Sequence, residues 1–143
     1  MRWLLALSLV GCISGPGEDT LPERDFERFE AMAQPVLAET CATPSCHGRP
    51  ERPLSIYAPL RYRADPSRLM FDEPLTPEEL DDNYQRTRAF LDDVDPERSL
   101  LLCKPLAAAA GGCEHEGDEA FADETDRGFA ALRAWVVEAE PRQ

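Results

Sequence analysis

Residues 41–48 read Cys-Ala-Thr-Pro-Ser-Cys-His-Gly. Two cysteines are separated by four residues, and a histidine directly follows the second. Three readings are open from these residues alone: thioether attachment of a prosthetic group, a metal site, or a short disulfide loop with a histidine beside it. The fold depends on which one applies, so the surrounding chain has to be read against each.

Upstream, Phe26, Phe29, Ala33, Val36 and Leu37 recur at helical spacing and lead straight into Cys41. Thr20-Leu21-Pro22-Glu23 reads as the start of that helix, with threonine as cap, an early proline and a glutamate three residues on. Pro35 is expected to kink it or divide it. Downstream, residues 48–66 hold Gly48, Pro50, Pro53, Pro59 and Pro66. This composition predicts loop, with a short helical turn around 56–62. Thr76-Pro77-Glu78-Glu79 is a second capping box, opening a helix with Leu80, Tyr84, Thr87, Phe90 and Leu91 on one side. Asp95-Pro96-Glu97 begins a short helix carrying Leu100, Leu101 and Leu102. Asp123 or Thr125 opens the last helix, whose inner face carries Phe129, Leu132, Trp135 and Val136. Gly128 within it costs about 1 kcal/mol relative to alanine and signals the close approach of another element. No run alternates as a strand does, so the expected class is all-α, with four or five short helices and long ordered loops.

Length and charge narrow the function. The chain has 143 residues, enough for one domain. It carries 28 acidic and 15 basic residues, a net charge of −13. That balance argues against nucleic acid as a partner, because phosphate binding needs a basic surface. It also argues against electrostatic attachment to anionic lipid.

The N-terminus, Met-Arg-Trp-Leu-Leu-Ala-Leu-Ser-Leu-Val-Gly-Cys, has a basic start and an apolar run too short to span a bilayer. Its ending, Leu9-Val10-Gly11-Cys12, resembles a bacterial lipobox. Residues 1–11 are then a lipoprotein signal peptide, and Cys12 is lipidated. Residues 12–21 form a tether and 22–143 the folded domain. The expected location is the cell envelope, lipid-anchored to a bacterial membrane and facing the periplasm or cell exterior, with the lipid itself as the membrane contact.

With Cys12 set aside, Cys41, Cys46, Cys103 and Cys113 remain. Exported chains sit in an oxidising space where free thiols are uncommon. Two accountings close: thioethers at Cys41 and Cys46 with a Cys103–Cys113 disulfide, or two disulfides and no cofactor. The chain has only two histidines, and each stands next to a cysteine: His47 after Cys46, and His115 two residues after Cys113. Haem iron takes one proximal histidine and often a second strong ligand, roles that this pair would fill. A zinc or copper site from Cys41, Cys46, His47 and His115 has suitable ligand types but lacks the paired cysteine spacing of structural zinc.

The segments Ser-Cys-His-Gly at 45–48, Asp-Pro-Glu-Arg-Ser-Leu-Leu-Leu-Cys-Lys-Pro-Leu-Ala at 95–107, Gly-Gly-Cys-Glu-His-Glu-Gly-Asp-Glu-Ala-Phe at 111–121 and Gly-Phe-Ala-Ala-Leu-Arg-Ala-Trp-Val at 128–136 together resemble class I c-type cytochrome domains. They are more closely similar to the cytochrome c-like domains of secreted proteins of the planctomycete type, and the resemblance spans most of residues 25–137. It implies one covalent haem c bonded by Cys41 and Cys46, His47 as proximal iron ligand and His115 as distal ligand, with Met70 as its rival. It further implies electron transfer to a redox partner protein, and packing of Trp135 and Phe129 against Phe26 and Phe29. The chain departs from the family in two places: the attachment motif is C-x4-C-H rather than C-x-x-C-H, and Asp118 stands where the family's histidine stretch has a second glycine. The runner-up is a haem-free, disulfide-stapled lipoprotein acting as a binding or structural module. No serine–histidine–acid set, phosphate loop or calcium loop indicates an enzyme. The pairs Asp81-Asp82, Asp92-Asp93 and Glu114–Glu116 read as solvated faces and helix-start charges.

Overall fold

The computed structural model describes Pro22 and residues 24–138. The signal peptide, Cys12, the tether and the Thr20 cap therefore lie outside the described residues. Within them the chain is all-α. Four helices, α1 (26–41), α2 (Pro77–Arg88), α3 (Leu100–Cys103) and α4 (Arg127–Val137), are joined by ordered loops and three 3-10 turns, at Pro66–Arg68, Pro96–Arg98 and Ala108–Ala110. Extended pairing among the described residues is confined to two isolated bridges, Ala58 with Tyr62 and Leu106 with Phe121. No helix among them is long and apolar enough to cross a membrane.

Helix α1 begins at Asp25, whose carboxylate accepts a 2.8 Å hydrogen bond from the Arg28 amide. That carboxylate at the first turn does what was expected of Thr20. The helix is not divided at Pro35. Its hydrogen bonding widens to i→i+5 over Phe29–Ala33 and again over Leu37–Cys41, on either side of a short α segment that contains the proline. Proline removes one donor and crowds the carbonyl four residues back, and a widened turn relieves both without ending the helix.

Phe29, Ala33 and Leu37 are fully buried on this helix, and burying a Phe or Leu side chain is worth about 2 kcal/mol each. Phe29 packs on Trp135 of α4 at 5.1 Å between ring centroids and on Tyr84 of α2 at 5.4 Å. Phe26 meets Tyr84 edge-on at 5.1 Å. The expected contact of α4 with Phe29 is thus made through Trp135, whereas Phe129 turns to Phe121, 5.9 Å away. The Trp135 indole N–H donates to the Asp25 carbonyl at 3.1 Å, so the buried ring keeps no unmet donor.

Gly128 is a point of close approach to α4. A Cβ there would lie 2.8 Å from Phe121 and 3.3 Å from Val36 of α1. Its helix is capped by Asp126, one residue beyond the expected Thr125. The Asp126 Oδ1 accepts from the amides of Gly128 and Phe129, while Asp123 instead closes a local turn with Thr125.

Helix α2 opens with the expected capping box: the Thr76 amide donates to Glu79 at 2.9 Å, and the Glu79 amide donates to Thr76 Oγ1 at 3.2 Å. The Leu100–Leu102 segment is preceded by a separate 3-10 turn and a break at the buried Ser99. Within 56–62, Ile56 to Ala58 are buried, and a single turn follows in which the amides of Arg61 and Tyr62 donate to the Ala58 carbonyl at 3.2 and 3.1 Å; it passes through the left-handed Leu60 at φ +60° and closes on the Ala58–Tyr62 bridge.

Candidate functional site

The last turn of α1 closes with the Ala42 amide bonded to the Leu37 carbonyl at 2.8 Å, which delivers Cys41 at the helix C-terminus. The chain then folds back on itself. The amides of Cys46 and Gly48 both donate to the Thr43 carbonyl at 2.9 Å, and the His47 amide reaches the Cys41 carbonyl at 3.0 Å. The two residues by which this motif exceeds C-x-x-C-H are absorbed by a turn whose tip, Pro44 and Ser45, is exposed. Gly48 is the closing piece: a Cβ there would stand 2.4 Å from the Ala42 carbonyl oxygen, so no other residue fits without backbone movement.

The His47 ring is fixed from behind. Its Nδ1 lies 2.6 Å from the Leu54 carbonyl oxygen, and its own carbonyl accepts from the Ile56 amide at 2.8 Å. A carbonyl only accepts, so Nδ1 carries the hydrogen and Nε2 keeps the lone pair, the tautomer required of a metal-binding imidazole. Burial holds His47 below its ordinary pKa. The Leu54 bond opposes this, while the neighbouring His115 and the Arg52 charge add to it.

His115 comes to the same place from the other end of the chain. Its ring lies nearly parallel to that of His47, at 17°, with 6.0 Å between centroids. Its Nδ1 is buried without a hydrogen-bond partner. A buried polar atom with no partner is uncommon enough to call for an explanation such as a missing ion or ligand. The loop that carries it is tied down on both sides. Cys113 is disulfide-bonded to Cys103, with 5.1 Å between Cα atoms, and its amide donates to the Cys103 carbonyl at 2.8 Å. Lys104 Nζ donates to the Glu114 carbonyl at 2.9 Å. On the other side, Glu116 lies 3.6 Å from the Arg52 guanidinium, which also donates to the Ser45 carbonyl at 3.4 Å. Arg52 therefore bridges the 41–48 loop to the loop of His115.

The two remaining cysteines are unalike. Cys41 and Cys46 carry free thiols. Burial, with Cys46 nearby, pushes the Cys41 thiol up to about 12. Cys46 is exposed and held below its ordinary value, chiefly by hydrogen bonds from Thr43 and Ser45. Asp118 is close enough to Cys46 for its charge to oppose that lowering.

Cys41, Cys46, His47 and His115 are thus gathered at one end of α1, and the Cys103–Cys113 pair anchors the last of them. Met70 is 82% exposed beside the 66–68 turn and fills no gap in the core. No cluster of three or more histidine, cysteine or acidic side chains among the described residues has the arrangement of a metal-ion site. Of the acidic pairs, Asp81, Asp82, Asp93, Glu114 and Glu116 are exposed, while Asp92 caps a turn by accepting from the amides of Val94 and Asp95.

Sequence reasoning missed Arg52, the Leu54 carbonyl and a buried ion pair. Arg63, closed off from solvent, grips Glu79 with Nε and Nη2 at 2.8 to 3.2 Å and donates to the carbonyls of Glu73 and Pro74. Glu79 also accepts from the amides of Ala64 and Thr76. Beside it, Asn83 exchanges two 2.8 Å bonds with the Tyr57 backbone and donates to Gln34 at 3.0 Å, all buried. These contacts hold the 54–64 segment, and so the Leu54 carbonyl, against α2.

Comparison with family models, with curated proteins and with solved structures found no match.

Proposed function

We propose that the protein is a lipid-anchored c-type cytochrome with a cytochrome c-like fold, which holds one covalent haem and passes single electrons to a redox partner protein at the bacterial envelope. The observation that carries this reading is the facing pair of imidazoles, His47 and His115. Metal–nitrogen bonds of about 2 Å, with the ring radius added on either side, put the centroids of two imidazoles across one metal ion roughly 6 Å apart. The 6.0 Å separation of the two rings, which form a stacked pair, matches that distance. So do the free lone pair on His47 and the unpartnered buried nitrogen of His115. The state of the cysteines supports it too, since Cys103 and Cys113 are joined while Cys41 and Cys46 keep thiols available for thioether bonds.

When bound, haem supplies one-electron chemistry at its iron, with a potential set by axial ligands, burial and hydrogen bonding. The chain's own part is to attach, orient and tune. Cys41 and Cys46 would tether the macrocycle. His47, locked by Leu54, and His115, locked by the disulfide and by Arg52, would be the residues that hold its iron.

The runner-up, a haem-free disulfide-stapled lipoprotein acting as a binding module, draws on a different observation. The aromatic core around Phe29, Tyr84 and Trp135 is closed by protein side chains alone.

Expression in a host with c-type haem maturation separates the two. The expected result is a haem absorption band that survives denaturation and an intact mass higher by one haem, both lost on Cys46→Ala. His115→Ala should keep the band and convert a low-spin spectrum to high-spin. A colourless protein whose mass fits two disulfides would reject electron transfer in favour of the binding module.

A further inference from the structure

We propose that the cleft between the 50–55 loop and α2 binds a small oxyanion, a carboxylate or phosphate group, held by Arg52 and Arg86. The cleft has a volume of about 250 Å³ and is lined by Pro50, Arg52, Pro53, Ser55, Tyr62 and Arg86. In a chain whose acidic residues outnumber its basic ones by 28 to 15, this lining contains two arginines and no acid.

The cleft offers donors. Arg86 is oriented by the Ser55 carbonyl at 3.2 Å and the Tyr57 hydroxyl at 3.3 Å, with its guanidinium over the Tyr57 ring at 4.8 Å. Tyr57 stacks in turn on Tyr62, 4.7 Å between centroids. Burial raises the Tyr62 phenol above its ordinary value, so its hydroxyl remains a donor at neutral pH. Ser55 is 5% exposed, and its hydroxyl, although near enough to Tyr62 to influence it, makes no hydrogen bond of ordinary geometry. The Arg52 Nε is likewise buried without a partner.

The carboxylates that touch the two arginines stand outside the cleft and are weak competitors. Asp82 meets Arg86 at 3.1 Å with its side chain 54% exposed, and Glu116 meets Arg52 at 3.6 Å with its side chain 90% exposed. Exposed pairs of this kind are weak, whereas a guanidinium fork binds a carboxylate or phosphate through two parallel charge-assisted bonds. The proposal does not depend on the haem. The carboxylates of a bound haem are one source of the oxyanion and a free small molecule is the other, because Arg52 is close enough to His47 for its charge to be felt there.

The test is a titration of the ¹⁵N-labelled chain with inorganic phosphate and with succinate, followed at the backbone amides of Arg52, Ser55, Tyr62 and Arg86. It is run on protein from a host with c-type haem maturation and on the haem-free chain from a host without it. Saturable shifts at these amides are expected, with affinity reduced about tenfold by Arg86→Gln or Arg52→Gln while the rest of the spectrum is unchanged. Shifts in both preparations assign the cleft to a free oxyanion, and shifts confined to the haem-free chain assign it to a haem carboxylate. Absence of saturable shifts from the haem-free chain, or undiminished affinity in both arginine variants, overturns the proposal. The haem-free arm gives its answer even if no haem is ever attached.

Discussion

The Nδ1 nitrogen of His47 sits 2.6 Å from the Leu54 carbonyl oxygen, seven residues along the chain. This bond fixes the hydrogen on Nδ1 before any ligand arrives. A long-range ¹H–¹⁵N spectrum of the haem-free chain at neutral pH should therefore show His47 in the Nδ1–H form. A dominant Nε2–H form would mean that the imidazole is not set up to ligate, and would count against the haem reading.

Gly48 closes the 41–48 loop against the Ala42 carbonyl. Gly48→Ala should cost about 1–3 kcal/mol in urea unfolding, the range for forcing an extra methyl group into a packed site. On the proposed haem reading it should also lower haem incorporation, because the backbone shift that relieves the clash moves His47. Gly112→Ala meets the Leu106 carbonyl at 1.8 Å and should be the more damaging of the two. Equal stability of Gly48→Ala and the parent would refute the tight closure.

The Arg63–Glu79 pair is closed off from water on both sides. Glu79→Ala strands a buried guanidinium and should cost about 3–5 kcal/mol. A combined Arg63→Met, Glu79→Leu variant should recover much of that loss, which a double-mutant cycle would measure. The pair also sets an acid limit. Burial raises the Glu79 pKa, but the bonds from Arg63, Thr76 and Ala64 outweigh it and leave the folded value below the ordinary 4.5. A carboxylate depressed on folding stabilises fully above its unfolded value and loses that contribution as pH falls through the folded one. Stability should accordingly fall below about pH 4, and the Glu79-containing part of that fall should vanish in the double variant.

In the haem-free chain, the two free cysteines should differ in reactivity. Cys46 is exposed and Cys41 lies at the edge of the core. Iodoacetamide at neutral pH should label Cys46 within minutes and Cys41 only after denaturation, read by peptide mass spectrometry. Resistance of both cysteines until a reductant is added would show a Cys41–Cys46 disulfide and favour the binding module.

Local patterns were legible in the sequence where one short signal had no rival. The Thr76–Glu79 box was recognisable because its donors and acceptors lie within four residues. The start of α1 lies five residues beyond the expected Thr20 because the Asp25 carboxylate reaches the Arg28 amide, and the start of α4 lies beyond Thr125 because Asp123, Thr125 and Asp126 crowd into four positions. In that second case the choice fell to the carboxylate that reaches the Gly128 and Phe129 amides. The left-handed step at Leu60 was not legible, because a leucine in that conformation has no sequence signature of the kind a glycine would give. The cysteines and histidines could be singled out by type and spacing, but that His47 and His115 face each other is a tertiary fact that the resemblance alone implied. The Arg63–Glu79 grip joins residues sixteen apart through a proline-rich loop, where no periodicity operates.

Four fully buried residues, Phe29, Ala33, Leu37 and Ala42, run down α1 and its exit at intervals of four, four and five. A helix of 3.6 residues per turn would carry such a series steadily around its circumference, so that its last member pointed well away from its first. The i→i+5 turns on either side of Pro35 hold more than four residues each, and this slower winding reduces that drift. Pro35 thus sets an angular register: the pitch of α1 determines the direction in which Cys41 leaves the helix, and with it the azimuth of the loop that presents His47.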